Sequence, residues 1–136
     1  MTTLVFLESH DGELTKGALG VLGKAASLGG GDVAGVVLGS GIRDTAAAAG
    51  AFGASTVYVV DDAALEAPLP QPRVDALEAV VRESGADTVL FAASVLAADV
   101  AAGLAARLEA GLNWDLTDLR VEGDELVGVR PALGDT

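Results

Sequence analysis

Residues 33–51 read VAGVVLGSGIRDTAAAAGA and contain the pattern of a strand, a turn and a helix in succession. The run from Val33 to Leu38 is apolar without a charged interruption, which is typical of a parallel strand buried on both faces. The run breaks at Gly39-Ser40-Gly41, and the alanine-rich stretch from Arg43 to Ala51 then favours a helix. This segment predicts one strand-and-helix unit of an α/β fold.

The same alternation occurs three more times along the chain. Strands are predicted at residues 4–7, 56–60 and 88–91, and the helices that follow them at 14–28, 73–84 and 97–110. The segment from Pro68 to Pro72 is predicted to be a loop before the third helix. Strands separated by helices imply right-handed crossovers, so we expect an α/β fold with a doubly wound, mostly parallel sheet.

After Gly111 the pattern changes to alternating apolar and polar residues. Residues 116–122 and 125–130 alternate in this way, and Gly123-Asp124 between them forms a compact turn signal. We therefore expect a carboxy-terminal β-hairpin. Trp114, the only tryptophan, is expected to pack in the core under this hairpin, and stacking on a cofactor ring is the alternative.

Length and composition favour one folded domain with an acidic surface. The chain has 136 residues, 51% of them hydrophobic, and a formal net charge of −12. Such a surface repels phosphate backbones and anionic lipid headgroups, which argues against nucleic acid and bare membrane as partners.

Three features point to the cytoplasm as the compartment. The chain has no cysteine, which excludes disulfides, cysteine nucleophiles and thiolate metal sites. The start Met1-Thr2-Thr3 lacks the basic segment of a secretory signal. No stretch reaches the roughly 20 apolar residues needed to span a bilayer, so we expect a protein that is not embedded in a membrane.

Ligands of a doubly wound sheet bind outside the carboxyl ends of its strands, where the winding reverses. Gly39-Ser40-Gly41 lies at such an end and opens a helix, so its backbone N–H groups are candidates for holding a phosphate. A plain tight turn is the alternative, because Asp44 stands where a dinucleotide fingerprint requires a third glycine.

Other candidate residues give weaker signals. His10, the only histidine, is interpreted as a solvated turn residue, because no nucleophile-elbow spacing links it to Ser9, Ser40 or Ser94. Asp61-Asp62 is interpreted as a pair of solvated helix-start residues rather than a magnesium site.

Three glycines recur at intervals of three inside the first helix, namely Gly17, Gly20 and Gly23. Each costs about 1 kcal/mol relative to alanine in a helix interior. Close approach of the sheet or of a partner subunit is one reason for them, and drift in a glycine- and alanine-rich sequence is the other.

Taken together, these residues resemble the amino-terminal domain of the electron-transfer flavoprotein alpha subunit, and the likeness covers the whole chain. It rests on Leu4-Val5-Phe6-Leu7-Glu8, Gly12, Leu14, Ala25-Ala26, Leu28-Gly29-Gly30, Leu38-Gly39-Ser40-Gly41, Gly53-Ala54-Ser55, Val57-Tyr58-Val59-Val60-Asp61-Asp62 and Ala93-Ser94. It continues with Ala105-Ala106-Arg107-Leu108, Gly111-Leu112, Asp115, Asp118 and Val129-Arg130-Pro131.

The resemblance implies an adenine nucleotide alpha hydrolase-like sheet and a heterodimer with a beta subunit of similar fold. It implies an electron carrier rather than an enzyme: FAD takes electrons from dehydrogenases, such as the acyl-CoA dehydrogenases of fatty acid β-oxidation, to a quinone oxidoreductase. In the family a carboxy-terminal domain, which residues 1–136 do not include, holds the FAD. We therefore expect this chain alone to bind no flavin and to carry no catalytic residue.

Two departures from the family pattern lie in the region of a remnant nucleotide pocket. Ala97-Ala98 precede Asp99 where the family has a glycine and a basic residue, and Ala102-Gly103 replace its Pro-Arg. The loss of both basic groups removes partners for a phosphate. The residues of the remnant pocket are Gly39, Ser40, Gly41, Ser94 and Asp99.

Two other hypotheses remain open. The first is a stand-alone adenine-nucleotide-binding module of universal-stress-protein type, which would use the same residues together with Glu8. The second is a hydrolase built on His10.

Overall fold

The computed structural model describes residues 1–132. The strands are β1 (Thr2–Phe6), β2 (Ser9–His10), β3 (Glu13–Leu14), β4 (Asp32–Gly39), β5 (Thr56–Asp61), β6 (Thr88–Phe91), β7 (Asp118–Glu122) and β8 (Glu125–Val129). The helices are α1 (Lys16–Leu28), α2 (Arg43–Ala46), α3 (Pro70–Ser84) and α4 (Val95–Leu108), with 3₁₀ turns at Ala47–Phe52 and Ala63–Leu65.

Four of these strands form a parallel sheet in the order β5-β4-β1-β6. The chain runs outward from β1 through β4 to β5 and then crosses back to place β6 on the other side of β1. The winding direction therefore reverses between β1 and β6. The predicted α/β fold with a doubly wound, mostly parallel sheet is confirmed.

Helices cover both faces of the sheet because successive side chains of a strand point to opposite faces. Leu4 and Phe6 of β1 pack against α3 and α4, and Val5 and Leu7 pack against α1. The strands are thus buried on both faces, which explains why they read as uninterrupted apolar runs.

The second helix is shorter than predicted. Only Arg43–Ala46 is α-helical, and Ala47–Phe52 continues as a 3₁₀ helix. Ala46 and Ala49 are both buried against the sheet, and residues three apart lie on one side of a 3₁₀ helix. The turn ends at Gly53 with φ +106°, where a Cβ would lie 2.5 Å from Ala26 Cβ.

Two further segments differ from the sequence-based predictions. Helix α3 begins at Pro70, inside the predicted loop, because proline is tolerated in the first turn of a helix. The predicted turn after β1 contains the short hairpin β2–β3, in which Asp11 and Gly12 have φ of +52° and +80°. Positive φ at both central residues is the geometry of a tight hairpin turn.

The carboxy-terminal hairpin is confirmed as the antiparallel pair β7–β8. It lies at the amino-terminal end of the sheet, where Val121 packs against Gly30 and Lys24 Nζ lies 3.0 Å from Asp118 Oδ1. The prediction that Trp114 packs under the hairpin is wrong, because its chain segment runs outside the core and leaves the residue 68% exposed.

The glycines of α1 are not uniformly close to the sheet. A Cβ added at Gly17 would lie 3.4 Å from Ala92 Cβ, an ordinary contact, whereas Gly20 and Gly23 have no heavy atom of residues 1–132 within 4 Å of such a Cβ. Close approach of the sheet therefore does not explain these two glycines. Contact with a partner subunit stays a prediction.

Candidate functional site

The reversal of winding brings the carboxyl ends of β1 and β6 side by side. Glu8 follows β1, and Ser94 lies between β6 and α4. These two residues are 86 positions apart in sequence, yet their side chains are in contact. The crevice at this edge is where a sheet of this type binds ligands, so it is the first candidate for a functional site.

Ser94 caps the first turn of α4. Its Oγ accepts a hydrogen bond from the Ala97 N–H at 2.9 Å and donates one to Glu8 Oε1 at 2.5 Å. The hydroxyl therefore satisfies a free amide of the helix terminus and a carboxylate at the same time. Both hydrogen-bond partners of the hydroxyl belong to the chain itself.

Glu8 is the central group of this cluster. Its side chain is only 10% exposed, and its second oxygen, Oε2, lies 2.8 Å from Nε2 of His10, which is 68% exposed. The carboxylate stands between the hydroxyl and the imidazole. A nucleophilic relay requires the imidazole to take the serine proton directly, so this arrangement does not support a hydrolase built on His10.

Arg73 is a buried cation beneath the same edge. Arg73 is 8% exposed. Its guanidinium donates hydrogen bonds to the backbone carbonyls of Leu65, Ala67 and Leu69 at 3.0, 2.7 and 3.2 Å. Burial lowers the pKa of Arg73, and the negative charge of Glu8 opposes that shift. The three carbonyl acceptors offset part of the cost of burying this charge.

Motif spacing did not predict the central position of Glu8 in this cluster. It did not predict the buried Arg73 either. One sequence signal was present for Arg73. It precedes Leu77 by four residues, on the buried face of α3 that also holds Val74 and Val80. A charged residue on an apolar helix face indicates a paired, buried group.

The turn at Gly39-Ser40-Gly41 is also engaged within the chain. The Gly41 N–H donates to Asp61 Oδ1 at 2.8 Å, and Gly41 has φ +67°. Ser40 is exposed. Asp62 caps the following 3₁₀ turn by accepting from the Ala64 N–H at 2.8 Å. One of the backbone N–H groups predicted as candidates for a phosphate, that of Gly41, is therefore bonded to a carboxylate.

Asp99 is exposed on α4, one turn after Ser94. The structure thus joins Ser94 to Glu8 and Gly41 to Asp61, with Asp99 and Ser40 facing solvent. Phosphate or pyrophosphate requires free N–H donors or cations. At this edge the Ser94 hydroxyl and the Gly41 N–H already donate to the carboxylates of Glu8 and Asp61, so neither is free for a phosphate.

Within residues 1–132, no group of three or more His, Cys, Asp or Glu side chains is arranged to hold a metal ion. No helix there is long and apolar enough to cross a membrane.

Comparison with protein families gives one match. The model described as "Electron transfer flavoprotein domain" matches residues 3–136. Among curated proteins, the electron transfer flavoprotein subunit alpha of Thermoanaerobacterium thermosaccharolyticum is 31% identical over 134 residues, covering 96% of this chain and 41% of the relative.

Further relatives show the same coverage. Protein FixB of Rhizobium meliloti is 32% identical, and the subunit alpha of Mycobacterium tuberculosis is 34% identical. Each covers 96% of this chain, which spans 39% and 40% of their respective lengths. The chain therefore spans about two fifths of the curated relatives it matches.

A similarity to a solved structure is weaker. The crystal structure of protein Rv1636 from Mycobacterium tuberculosis H37Rv aligns with a TM-score of 0.42 and 20% identity. The alignment covers 83% of this chain and 92% of that one. At this TM-score the similarity supports no inference about function.

Proposed function

This chain belongs to the electron transfer flavoprotein domain family, and on that premise we propose that it is the amino-terminal structural and subunit-docking domain of an electron-transfer flavoprotein alpha subunit. The observation that carries the proposal is the pattern of coverage. The family match spans residues 3–136, whereas the alignments to the curated relatives cover only 39–41% of those relatives. The remaining part of such a subunit has room for a separate flavin domain.

In this proposal the chain contributes no catalytic residue. FAD, held mainly by the carboxy-terminal part of the alpha subunit, supplies the redox chemistry and passes electrons from dehydrogenases, such as acyl-CoA dehydrogenases, to a quinone oxidoreductase. The role of this domain is to bind the beta subunit. That the domain contributes no catalytic residue is supported at the carboxyl edge of the sheet, where the Ser94 hydroxyl and the Gly41 N–H donate hydrogen bonds to Glu8 and Asp61. We place the complex in the cytoplasm.

A titration with two ligands tests the division of roles. We expect the purified chain to bind no FAD by fluorescence quenching, and to form a one-to-one complex with the beta subunit encoded in the same genome, as measured by light scattering after gel filtration. Stoichiometric FAD binding by the chain alone would overturn the assignment. So would a failure to associate with the beta subunit.

The protein from its natural source provides a second test. We expect its intact mass to exceed 13.5 kDa and its absorption spectrum to show bound flavin. A colourless species of 13.5 kDa would contradict the proposal that the chain works as part of a flavin-carrying subunit.

A stand-alone adenine-nucleotide module is the second candidate function. The observation in its favour is the β5-β4-β1-β6 strand order, which places the amino terminus of α4 at the reversal of winding. Against it, the Glu8 carboxylate already accepts a hydrogen bond from the Ser94 hydroxyl there. Calorimetry with millimolar ATP and AMP distinguishes the two: we expect no heat, and binding that Ser94→Ala abolishes would favour the nucleotide module.

A further inference from the structure

The chain between α4 and β7 exposes every one of its residues. We call residues 109–118 the Trp114 segment; all ten are exposed, and Leu112, Trp114 and Leu116 are 46%, 68% and 37% exposed. We propose that the Trp114 segment is the docking surface for a second protein that presents an apolar pocket with a basic rim. This inference rests on the proposed function, in which that protein is the beta subunit.

The apolar side chains of this segment recur at every second position. Leu112, Trp114 and Leu116 alternate with Asn113 and Asp115, so a short stretch of chain carries several exposed large apolar groups. Asp115 has φ +62°, which bends the path beside the tryptophan. Tryptophan is enriched among the few residues that dominate binding energy at interfaces. Neighbouring exposed apolar residues of this kind mark an interaction surface.

The hairpin holds one end of the segment in place. The Thr117 N–H donates to the Val129 carbonyl at 2.8 Å. Leu116 lies over Gly128, where an added Cβ would be 2.7 Å from Leu116 Cδ1, so the glycine makes room for the leucine. A surface that is already fixed before binding loses less conformational entropy when the partner arrives.

Charge indicates the chemistry of the occupant. Residues 109–129 contain six acidic residues and one arginine. Two of the six carboxylates face a cation: Glu122 lies 3.4 Å from Arg120, and Asp118 lies 3.0 Å from Lys24. A partner with basic side chains around its apolar pocket would complement this surface and would be steered toward it. A second copy of the chain would place like charges together, and each copy carries a formal net charge of −12.

The position of the segment separates it from the candidate site described above. Helix α4 runs away from the crevice at Glu8 and Ser94, so the segment begins at the opposite, amino-terminal end of the sheet. Leu69, at the start of α3, is 55% exposed at the carboxyl edge and provides a matched control. One exposed apolar side chain can thus be removed at each end.

The test uses residues 1–136 and the purified beta subunit of the same genome. Calorimetry on the unmodified chain gives the reference Kd. We expect Trp114→Ser and Leu112→Ser each to raise Kd at least about tenfold, because they remove buried anchors of the interface. Leu69→Ser is expected to leave Kd within about twofold. Circular dichroism of each variant shows whether it is folded.

A spectroscopic measurement on the unmodified chain checks the contact directly. Trp114 is the only tryptophan, so growth on 5-fluorotryptophan gives a single ¹⁹F resonance from this chain. We expect that resonance to shift when unlabelled beta subunit is added, and Kd to rise with added salt because the charges are exposed.

The outcomes separate failure of this inference from failure of the proposed function. If the unmodified chain binds and Trp114→Ser binds equally well without a ¹⁹F shift, the docking surface is elsewhere and the proposed function stands. Loss of binding with Leu69→Ser alone would place the interface at the carboxyl edge. If the unmodified chain does not bind the beta subunit, the proposed function and this inference both fail. A ¹⁹F shift that depends on the concentration of the chain alone would identify a second copy as the occupant.

Discussion

The two ends of the sheet differ in whether their side chains have partners within the chain. At the carboxyl edge, Ser94 donates a hydrogen bond to Glu8 and caps α4, and Arg73 donates to three neighbouring backbone carbonyls. At the amino-terminal end, the Trp114 segment leaves large apolar groups in solvent. Buried polar groups need hydrogen-bond partners, whereas covering exposed apolar groups with a partner protein lowers the free energy. The first end is therefore specialised for holding the fold, and the second is the stronger candidate for a partner.

Among the polar side chains, the largest loss in the free energy of unfolding is expected from removing the buried cation of the carboxyl edge. Arg73→Met eliminates the hydrogen bonds of a buried guanidinium to three backbone carbonyls. We expect the free energy of unfolding to fall by about 2–4 kcal/mol, measured by urea denaturation.

Arg82→Met is the matched control for this change. Arg82 is 67% exposed and pairs with Glu78 within one helix, so its loss is expected to cost less than about 0.5 kcal/mol. Equal effects of the two substitutions would show that the carboxyl edge does not depend on its buried cation.

A smaller effect is expected from Ser94→Ala. The change removes the cap of α4 and the hydrogen bond to Glu8, and we expect a loss of about 1–2 kcal/mol in urea denaturation. Ser40→Ala, at an exposed hydroxyl of the neighbouring turn, is expected to stay within about 0.5 kcal/mol of the unmodified chain. An unchanged free energy of unfolding in Ser94→Ala would mean that solvent replaces both hydrogen bonds of the hydroxyl.

A still smaller, pH-dependent effect is expected where α3 meets α4. Hydrogen bonds from Arg82 and then Arg107 lower the pKa of Glu78. The unfolded chain therefore takes up this proton at a higher pH than the folded one. The stabilisation is complete above the ordinary glutamate pKa of about 4.3 and is lost as pH falls through the lower folded-state value.

Glu78→Gln removes that dependence. We expect the unmodified chain to be the more stable of the two at about pH 6, and the difference to shrink at about pH 3, as measured by urea denaturation at both values. Glu83→Gln, an exposed position of the same helix, controls for the loss of one negative charge. A difference that stays constant with pH would contradict the role of the Glu78 carboxylate.

The smallest effect on the isolated chain is expected at Trp114. Because the side chain is 68% exposed, Trp114→Ser should change the free energy of unfolding by less than about 0.5 kcal/mol. Leu77→Ala, at a fully buried residue, is expected to cost about 2–5 kcal/mol in the same experiment. A large loss with Trp114→Ser would show that the segment stabilises the fold, which would weaken its case as a docking surface.

Local patterns predicted the strands better than the helix limits. The apolar runs around Leu4 and Val36 were recognisable because strands buried on both faces have few polar residues. The second helix was predicted too long, because alanine favours an α-helix locally while the packing of Ala46 and Ala49 against the sheet produces a 3₁₀ turn. Trp114 was misplaced because hydrophobicity alone does not tell whether a residue faces the core.

The amino-acid sequence by itself determined the alternation of strands and helices, the parallel sheet and the acidic surface, because periodicity and charge are properties of neighbouring residues. Only the tertiary structure decided that Ser94 bonds to Glu8, 86 residues away, and that Arg107 of α4 pairs with Asp75 of α3. Only the tertiary structure decided that Trp114 stays in solvent. Such contacts depend on the order of strands and the offset of helices, which bring together side chains that no local pattern connects.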